Sequence, residues 1–261
     1  MDVPLLSLGL AAVGGAVIGL LLSVFGGGGS VLATPLLIYV VGVRDPHVAI
    51  GTSAAAVAVN ALVGLSAQAR AGRVKWRCAS VFAAAGIVGS LVGAHLAKQA
   101  PGEQLILWFA AAMAVVGGSM LVPRKGTGDP FVTLTPALTA KLAPLGLLVG
   151  LAAGFFGIGG GFLIVPGLMA ATGMTMAHAA ASSLLSVVVF GGATSASYAV
   201  SGQIDLPVFV ALVAGGGLGA LAGGPVARAL ESRATVARQV FALFVIATAA
   251  YVAARALHVL G

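Results

Sequence analysis

Phe25-Gly26-Gly27-Gly28-Gly29-Ser30-Val31-Leu32-Ala33-Thr34-Pro35 and Phe156-Gly157-Ile158-Gly159-Gly160-Gly161-Phe162-Leu163-Ile164-Val165-Pro166 are two copies of one pattern, F-G-x-G-G-[SG]-x-L-x-x-P. They lie 131 residues apart in a chain of 261, each inside a long apolar stretch. Half a chain length between copies points to one ancestral unit written twice. Duplicated, glycine-broken hydrophobic segments are the sequence pointer to the binding site of a secondary transporter.

Composition names the solvent. Hydrophobic residues make up 60% of the chain and charged residues 7%, and mean hydropathy is +1.13. Soluble domains carry about 25% charged residues. From 142 to 204 there is no Asp, Glu, Lys or Arg, more apolar length than two or three bilayer crossings of about 20 residues require. The 39 glycines suit membrane helices packed closely through small residues. The single Cys78 offers neither a disulfide nor a metal cluster. Met1-Asp2-Val3 lacks a positive leader, so the first apolar run reads as a permanent span and not a cleaved signal.

Charges and Pro/Gly breaks divide the first half into apolar segments at about 4–24, 29–43, 47–69, 78–98 and 104–122, and the second half into segments at about 142–156, 160–173, 177–200, 206–228 and 236–258. Further landmarks keep the register. His47 matches His178, and Gly51-Thr52-Ser53-Ala54 matches Ala181-Ser182-Ser183-Leu184. Gly86, Gly89 and Gly93 each recur 130 residues on, as Gly216, Gly219 and Gly223. The expected fold is an all-α polytopic membrane protein of two inverted-topology repeats, 1–122 and 142–261, joined by a polar cytoplasmic linker at 123–141 and forming one membrane domain.

Inversion follows from parity. Five segments per unit is odd, so tandem copies enter the membrane from opposite sides. Arg70, Arg73, Lys75 and Arg77 crowd the loop before the fourth segment, whereas the matching loop of the second unit carries only Asp205. Positive loops stay cytoplasmic. The first loop is therefore expected inside with Arg124, Lys125, Lys141, Arg228, Arg233 and Arg238, and both termini outside, in the inner membrane.

The second segment of each unit holds about 14 residues, near 21 Å of helix against a hydrocarbon core about 30 Å thick. Segments one and two are therefore expected to form a bent or re-entrant hairpin whose glycine tip reaches mid-membrane, inside protein or facing a water-filled cavity. Glycine lets backbone approach a ligand closely, and the first N–H groups of a helix lack partners and carry partial positive charge. Two such tips would converge on a central cavity and hold an oxyanion without a fixed cation.

The residues expected to line that site are Gly26, Gly27, Gly28, Gly29, Ser30, Thr52 and Ser53 from the first unit, and Gly157, Gly159, Gly160, Gly161, Ser182 and Ser183 from the second. Asn60, Ser186, His47 and His178 are secondary candidates. Each has a plainer reading. Glycines also serve helix packing, and membrane Ser and Thr often bond to their own preceding turn. His47, His178 and His95 sit near segment ends, where an interfacial role is the simpler account. No Cys, Asp or Glu lies at ligand spacing from the histidines, so no metal or cofactor is expected. All six acidic residues lie outside mid-span positions, which disfavours a cation substrate.

The paired motifs, with Gly51-Thr52-Ser53, Ala181-Ser182-Ser183 and the two glycine series, resemble the TauE/SafE sulfite-exporter family over nearly the whole chain. The resemblance implies an inner-membrane protein of two homologous halves that moves sulfur-containing anions such as sulfite or sulfonates, usually outward. Gly27 stands opposite Ile158 and Ser30 opposite Gly161, so the half-sites need not contribute equally. The expected partners are a small inorganic or organic anion and the lipid bilayer, with homo-oligomer assembly left open and nucleic acid not among them. The alternatives are an anion channel with an open pathway and, further off, a non-transporting partner subunit or an enzyme. No nucleophile or cofactor motif supports the last.

Overall fold

The structure, a computed structural model, describes residues 5–121, 128–157, 161–231 and 234–260. Among these the chain is helical almost throughout, the one β contact being an isolated bridge between Asp129 and Met174. The helices are α1 (Leu5–Phe25), α2 (Ala33–Leu36), α3 (Pro46–Arg70), α4 (Trp76–Gln99), α5 (Gly102–Leu121), α6 (Pro136–Phe156), α7 (Gly161–Thr172), α8 (Met176–Val200), α9 (Leu206–Glu231) and α10 (Ala234–Leu260). Seven helical stretches are long and apolar enough to cross a membrane. Large apolar side chains such as Val115, Leu148, Leu218 and Leu221 are more than 60% exposed on them, as a lipid-facing surface requires. This is a multi-pass, all-α membrane protein.

Local sequence explains the breaks. Asp45 caps α3 by accepting the His47 N–H at 2.8 Å, with Pro46 in the first turn. Thr135 caps α6 by accepting the Leu138 N–H, again with a proline next. That cap starts α6 at Pro136, six residues earlier than the apolar run suggests, because Lys141 is tolerated near a helix end. Thr175 caps α8.

Chain reversals use left-handed glycines. Of the seven described residues with positive φ, six pair off: Gly26 with Gly157, Gly42 with Gly173, and Gly72 with Gly202, at separations of 131, 131 and 130. The 130–131-residue spacing of the sequence motifs thus recurs in the positions of these glycines. Gly26 (φ +60°) and Gly157 (φ +65°) end α1 and α6, the left-handed helix stop that only glycine adopts without cost.

Beyond Gly26 the chain folds back along α1. A Cβ on Gly29 would meet the backbone of Leu21 and Leu22, and one on Gly14 would meet the Leu36 side chain. Segments one and two of the first unit therefore fold back on each other as an antiparallel hairpin. The returning arm is not one regular helix, however: Gly26–Leu32 is 3-10, Ala33–Leu36 is α and Leu37–Val41 is π. Four consecutive glycines are poor α formers, and Pro35 supplies no N–H to the ladder.

Two extensive helix pairs build the frame. α1 packs along α9 and α6 along α4, with α3 against α8 and α5 against α10. The first two pairs meet through small residues. Gly15 and Gly19 face the carbonyls of Leu212 and Gly216, while Gly215 and Gly219 face those of Ala12 and Ala16. Likewise Gly146, Gly150 and Gly154 face the carbonyls of Phe82, Gly86 and Ser90. Without Cβ atoms the backbones approach closely, which is how dispersion holds helices together in lipid. Residue numbers climb together along both pairs, so each pair is parallel. α3 and α8 run antiparallel instead: Gly51 meets Tyr198, Gly191 meets Ala54 and Ala58, and Gly64 meets Leu184.

Candidate functional site

The two glycine segments meet. A Cβ on Gly27 would run into the Cα of Gly161, and one on Gly161 into the carbonyl of Gly27, so the two backbones are in van der Waals contact. Residues 26–31 are all buried, as is Gly161. The sequence predicts tips that converge on a cavity; here they touch directly, packed by Val187 of α8 at Gly27 and by the Phe241 ring of α10 at Gly28. Gly159 and Gly160 of the second motif, with Ile158, lie outside the described residues.

Hydroxyls stitch these segments to the helices behind them. The Gly27 N–H donates to Ser183 Oγ at 2.9 Å, and the Ser183 hydroxyl donates to the Ala180 carbonyl at 2.7 Å. Gly26 leaves no room beside it: a Cβ there would strike the Ala180 carbonyl and Ser183 Oγ. Ser30 donates to the Gly27 carbonyl at 2.7 Å, closing the 3-10 turn on itself. Ser53 pairs with Thr34 Oγ1 at 2.8 Å and donates to the Ile50 carbonyl. Thr34, a residue of the motif itself, is a polar contact that motif spacing alone does not single out. Gly157 packs against the Ile50 side chain.

Thr52 and Ser182 form a matched pair. Thr52 Oγ1 accepts the Asp205 N–H at 2.9 Å, and Ser182 Oγ accepts the Lys75 N–H at 2.9 Å. Donors and acceptors are both 130 residues apart. Each third-segment hydroxyl thus holds the start of the fourth helix of the other half.

Two secondary candidates are buried with an unused polar atom. Asn60 donates to the Leu212 carbonyl at 3.3 Å, but its Oδ1 has no partner, and neither has Ser186 Oγ. Both residues are at most 1% exposed. Here the halves differ: Asn60 packs against Gly216 where its counterpart Phe190 packs against Gly86. Polar side chains without partners inside a membrane protein carry a cost that function can justify.

The histidines stay at helix starts. His47 stacks on Tyr198 with centroids 6.3 Å apart, and His47 Nδ1, the Tyr198 hydroxyl and Gln203 Oε1 are buried without partners. His178 Nδ1 lies 2.8 Å from Thr175 Oγ1, and His95 pairs with Gln99 on an exposed surface. The atoms that would crowd a Cβ at Gly27 or Gly161 are the facing glycine backbone and the Val187 side chain, and the Gly27 N–H is met by the Ser183 hydroxyl.

The family model described as sulfite exporter TauE/SafE matches residues 11–252. The chain belongs to the TauE/SafE family. A probable membrane transporter protein of Xylella fastidiosa (strain Temecula1) is 45% identical over 244 residues, covering 91% of this chain and 92% of that protein. Another, YunE of Bacillus subtilis (strain 168), is 25% identical over 245 residues, covering 85% and 89%. A relative in Methanocaldococcus jannaschii, MJ0441, is 27% identical over 175 residues, covering 62% and 61%. All three are described as probable membrane transporter proteins, and none of these descriptions states a substrate. No solved structure matches the chain. As a TauE/SafE protein the chain is a membrane transporter by kinship.

Proposed function

We propose that this TauE/SafE protein is a secondary transporter or facilitator that exports a small sulfur-containing anion, sulfite or an organosulfonate, across the inner membrane. The observation that carries the reading is the meeting of the two duplicated glycine segments at Gly27 and Gly161, with Ser183 bound to the Gly27 N–H. Oxyanions are held by such N–H and hydroxyl donors without a fixed cation. The anion binds when the segments part, between Gly26–Ser30 on one side and the 157–161 segment on the other, with Thr52, Ser53, Ser182 and Ser183 behind them. Asn60 Oδ1 can only accept, so it does not contact the anion directly; its Nδ2 and the Ser186 hydroxyl are the further donors.

Inverted repeats would give this motion its form. The parallel α1–α9 and α4–α6 pairs and the antiparallel α3–α8 pair support a two-fold relation in the membrane plane, as does the recurrence of left-handed glycines. Rocking one interlocked pair against the other would expose the site to each face in turn. An anion leaving a cell down an inside-negative potential gains about 2.3 kcal/mol per charge per 100 mV, so export needs no proton-relay carboxylate. The direct Gly27–Gly161 contact favours a carrier over a channel with a standing pathway.

Flux from liposomes of purified protein tests the proposal. Sulfite and small sulfonates should move saturably and compete with one another, whereas sulfate and thiosulfate should compete poorly. Flux that rises linearly with concentration would replace the carrier with a channel, and indifference to all sulfur oxyanions would end the substrate assignment.

A further inference from the structure

A second polar feature lies away from the glycine contact. Where α4 begins, a cavity of about 220 Å³ opens between Lys75, Trp76, Arg77 and Cys78 on one wall and linker residues 132–134 on the other. Two of its lining residues, Lys75 and Arg77, are cationic, and none is acidic. The first turn of α4 carries no acidic residue, and its N-cap, Lys75, makes no side-chain cap. The Lys75 N–H is already taken by Ser182, so the uncapped N–H groups at this end are those of Trp76, Arg77 and Cys78, which line the cavity.

The linker wall is built. Asp129 N–H donates to the Gly173 carbonyl at 2.9 Å, and the Asp129 carboxylate accepts the Phe131 N–H at 2.7 Å, pinning the strap to the α7–α8 turn. Phe131 is left 83% exposed and Trp76 49% exposed. Aromatic side chains with cations beside them at the end of a membrane helix mark the lipid headgroup level. Farther along, α4 turns Val88, Leu91 and Val92 outward, an apolar surface on which acyl chains can lie.

We propose that this cavity binds the phosphodiester headgroup of an anionic phospholipid, gripped by the Lys75 ammonium, the Arg77 guanidinium and the α4 first turn. The shared chemistry is that of a phosphate oxyanion, which the planar Arg fork meets with two parallel hydrogen bonds. A lipid suits the position better than a free anion, because the cavity lies at the start of a spanning helix with exposed aromatics alongside. Lipid bound there would brace the linker against α4, next to the Ser182–Lys75 bond. The proposal does not rest on the transport reading, since the residues lining this cavity include none of the glycine segments.

The chain has two tryptophans, and Trp108 stacks on Phe155 away from the cavity, so Trp108→Phe leaves Trp76 as the reporter. Phosphatidylglycerol titrated into this protein in uncharged detergent should shift Trp76 emission saturably, and phosphatidylcholine should not. Native mass spectrometry should show the same preference in retained lipid. Joint Lys75→Gln and Arg77→Gln substitution should weaken the phosphatidylglycerol response on the order of tenfold or more, from the loss of two cations. Arg255→Gln, a cation outside the cavity, should leave it unchanged, and Arg77→Lys, which keeps the charge but loses the fork, should retain more of it than Arg77→Gln. If the double variant aggregates, loss in Arg77→Gln with rescue in Arg77→Lys supports the site equally well. Equal response to phosphatidylcholine, or an unaltered response in the glutamine variants, overturns the site. Displacement of the lipid by inorganic phosphate at equal concentration overturns the lipid assignment in favour of a free anion.

Discussion

At the scale of single residues, Ser183 holds the closest relation to the proposed site. Its hydroxyl accepts the Gly27 N–H and donates onward to Ala180, so Ser183→Ala leaves a buried N–H without a partner. Such a loss costs about 1–3 kcal/mol. Thermal unfolding in detergent should register that destabilisation, and liposome flux should fall more than the melting shift alone explains; full flux would separate Ser183 from substrate. Gly161→Ala is the stricter probe of convergence. Its methyl would push the Gly27 carbonyl away, so flux should drop severely in protein that still inserts into the membrane. Gly29→Val is less useful, because its side chain would strike the α1 backbone at Leu21 and Leu22 and unsettle the hairpin as a whole.

Elements are coupled across the halves by the Thr52–Asp205 and Ser182–Lys75 bonds. Each hydroxyl satisfies one N–H where a fourth-segment helix begins, a service worth about 1 kcal/mol at helix starts. Thr52→Ala and Ser182→Ala should therefore lower stability by similar amounts, and the double variant by roughly their sum, since the two bonds are separate. A large non-additive term in the double-mutant cycle would mean that both report one concerted movement. Packing of α4 on α6 depends on carbonyls reaching Gly150 and Gly154. Gly150→Leu should force the pair apart and yield protein that inserts yet elutes as aggregate on size-exclusion chromatography. Gly217→Leu should elute normally, because a Cβ added at Gly217 meets nothing.

For the molecule as a whole, the inverted arrangement makes a prediction about sides. With Cys78 replaced by Ala, single cysteines introduced as Gly72→Cys and Gly202→Cys should be labelled from opposite faces by a membrane-impermeant maleimide, position 72 from the cytoplasmic side. Labelling from one face would remove the inverted repeat while leaving the helix packing intact. The +7 formal charge gathers at loops and helix ends, as the positive-inside asymmetry asks, and needs no anionic macromolecule to explain it.

Much of this was legible in the chain because it depends on local physics. Charge-free runs fix membrane helices, since hydrocarbon tolerates no unpaired backbone. The first glycine of each motif stops a helix, because Gly26 and Gly157 take positive φ, and the shortness of the arm that follows points to a hairpin. Pro46 and Pro136 beside Asp45 and Thr135 mark helix starts. Four glycines and Pro35 mark the first arm as a poor regular helix, but its succession of 3-10, α and π turns was not legible in spacing alone. Tertiary structure alone decided that the two motifs touch at Gly27 and Gly161, that Ser183 serves Gly27 across 156 residues, and that Thr52 and Ser182 hold helices of the opposite half. Spacing along a chain carries the period of a repeat, but not which copy a side chain will meet, because that depends on how two folded halves dock.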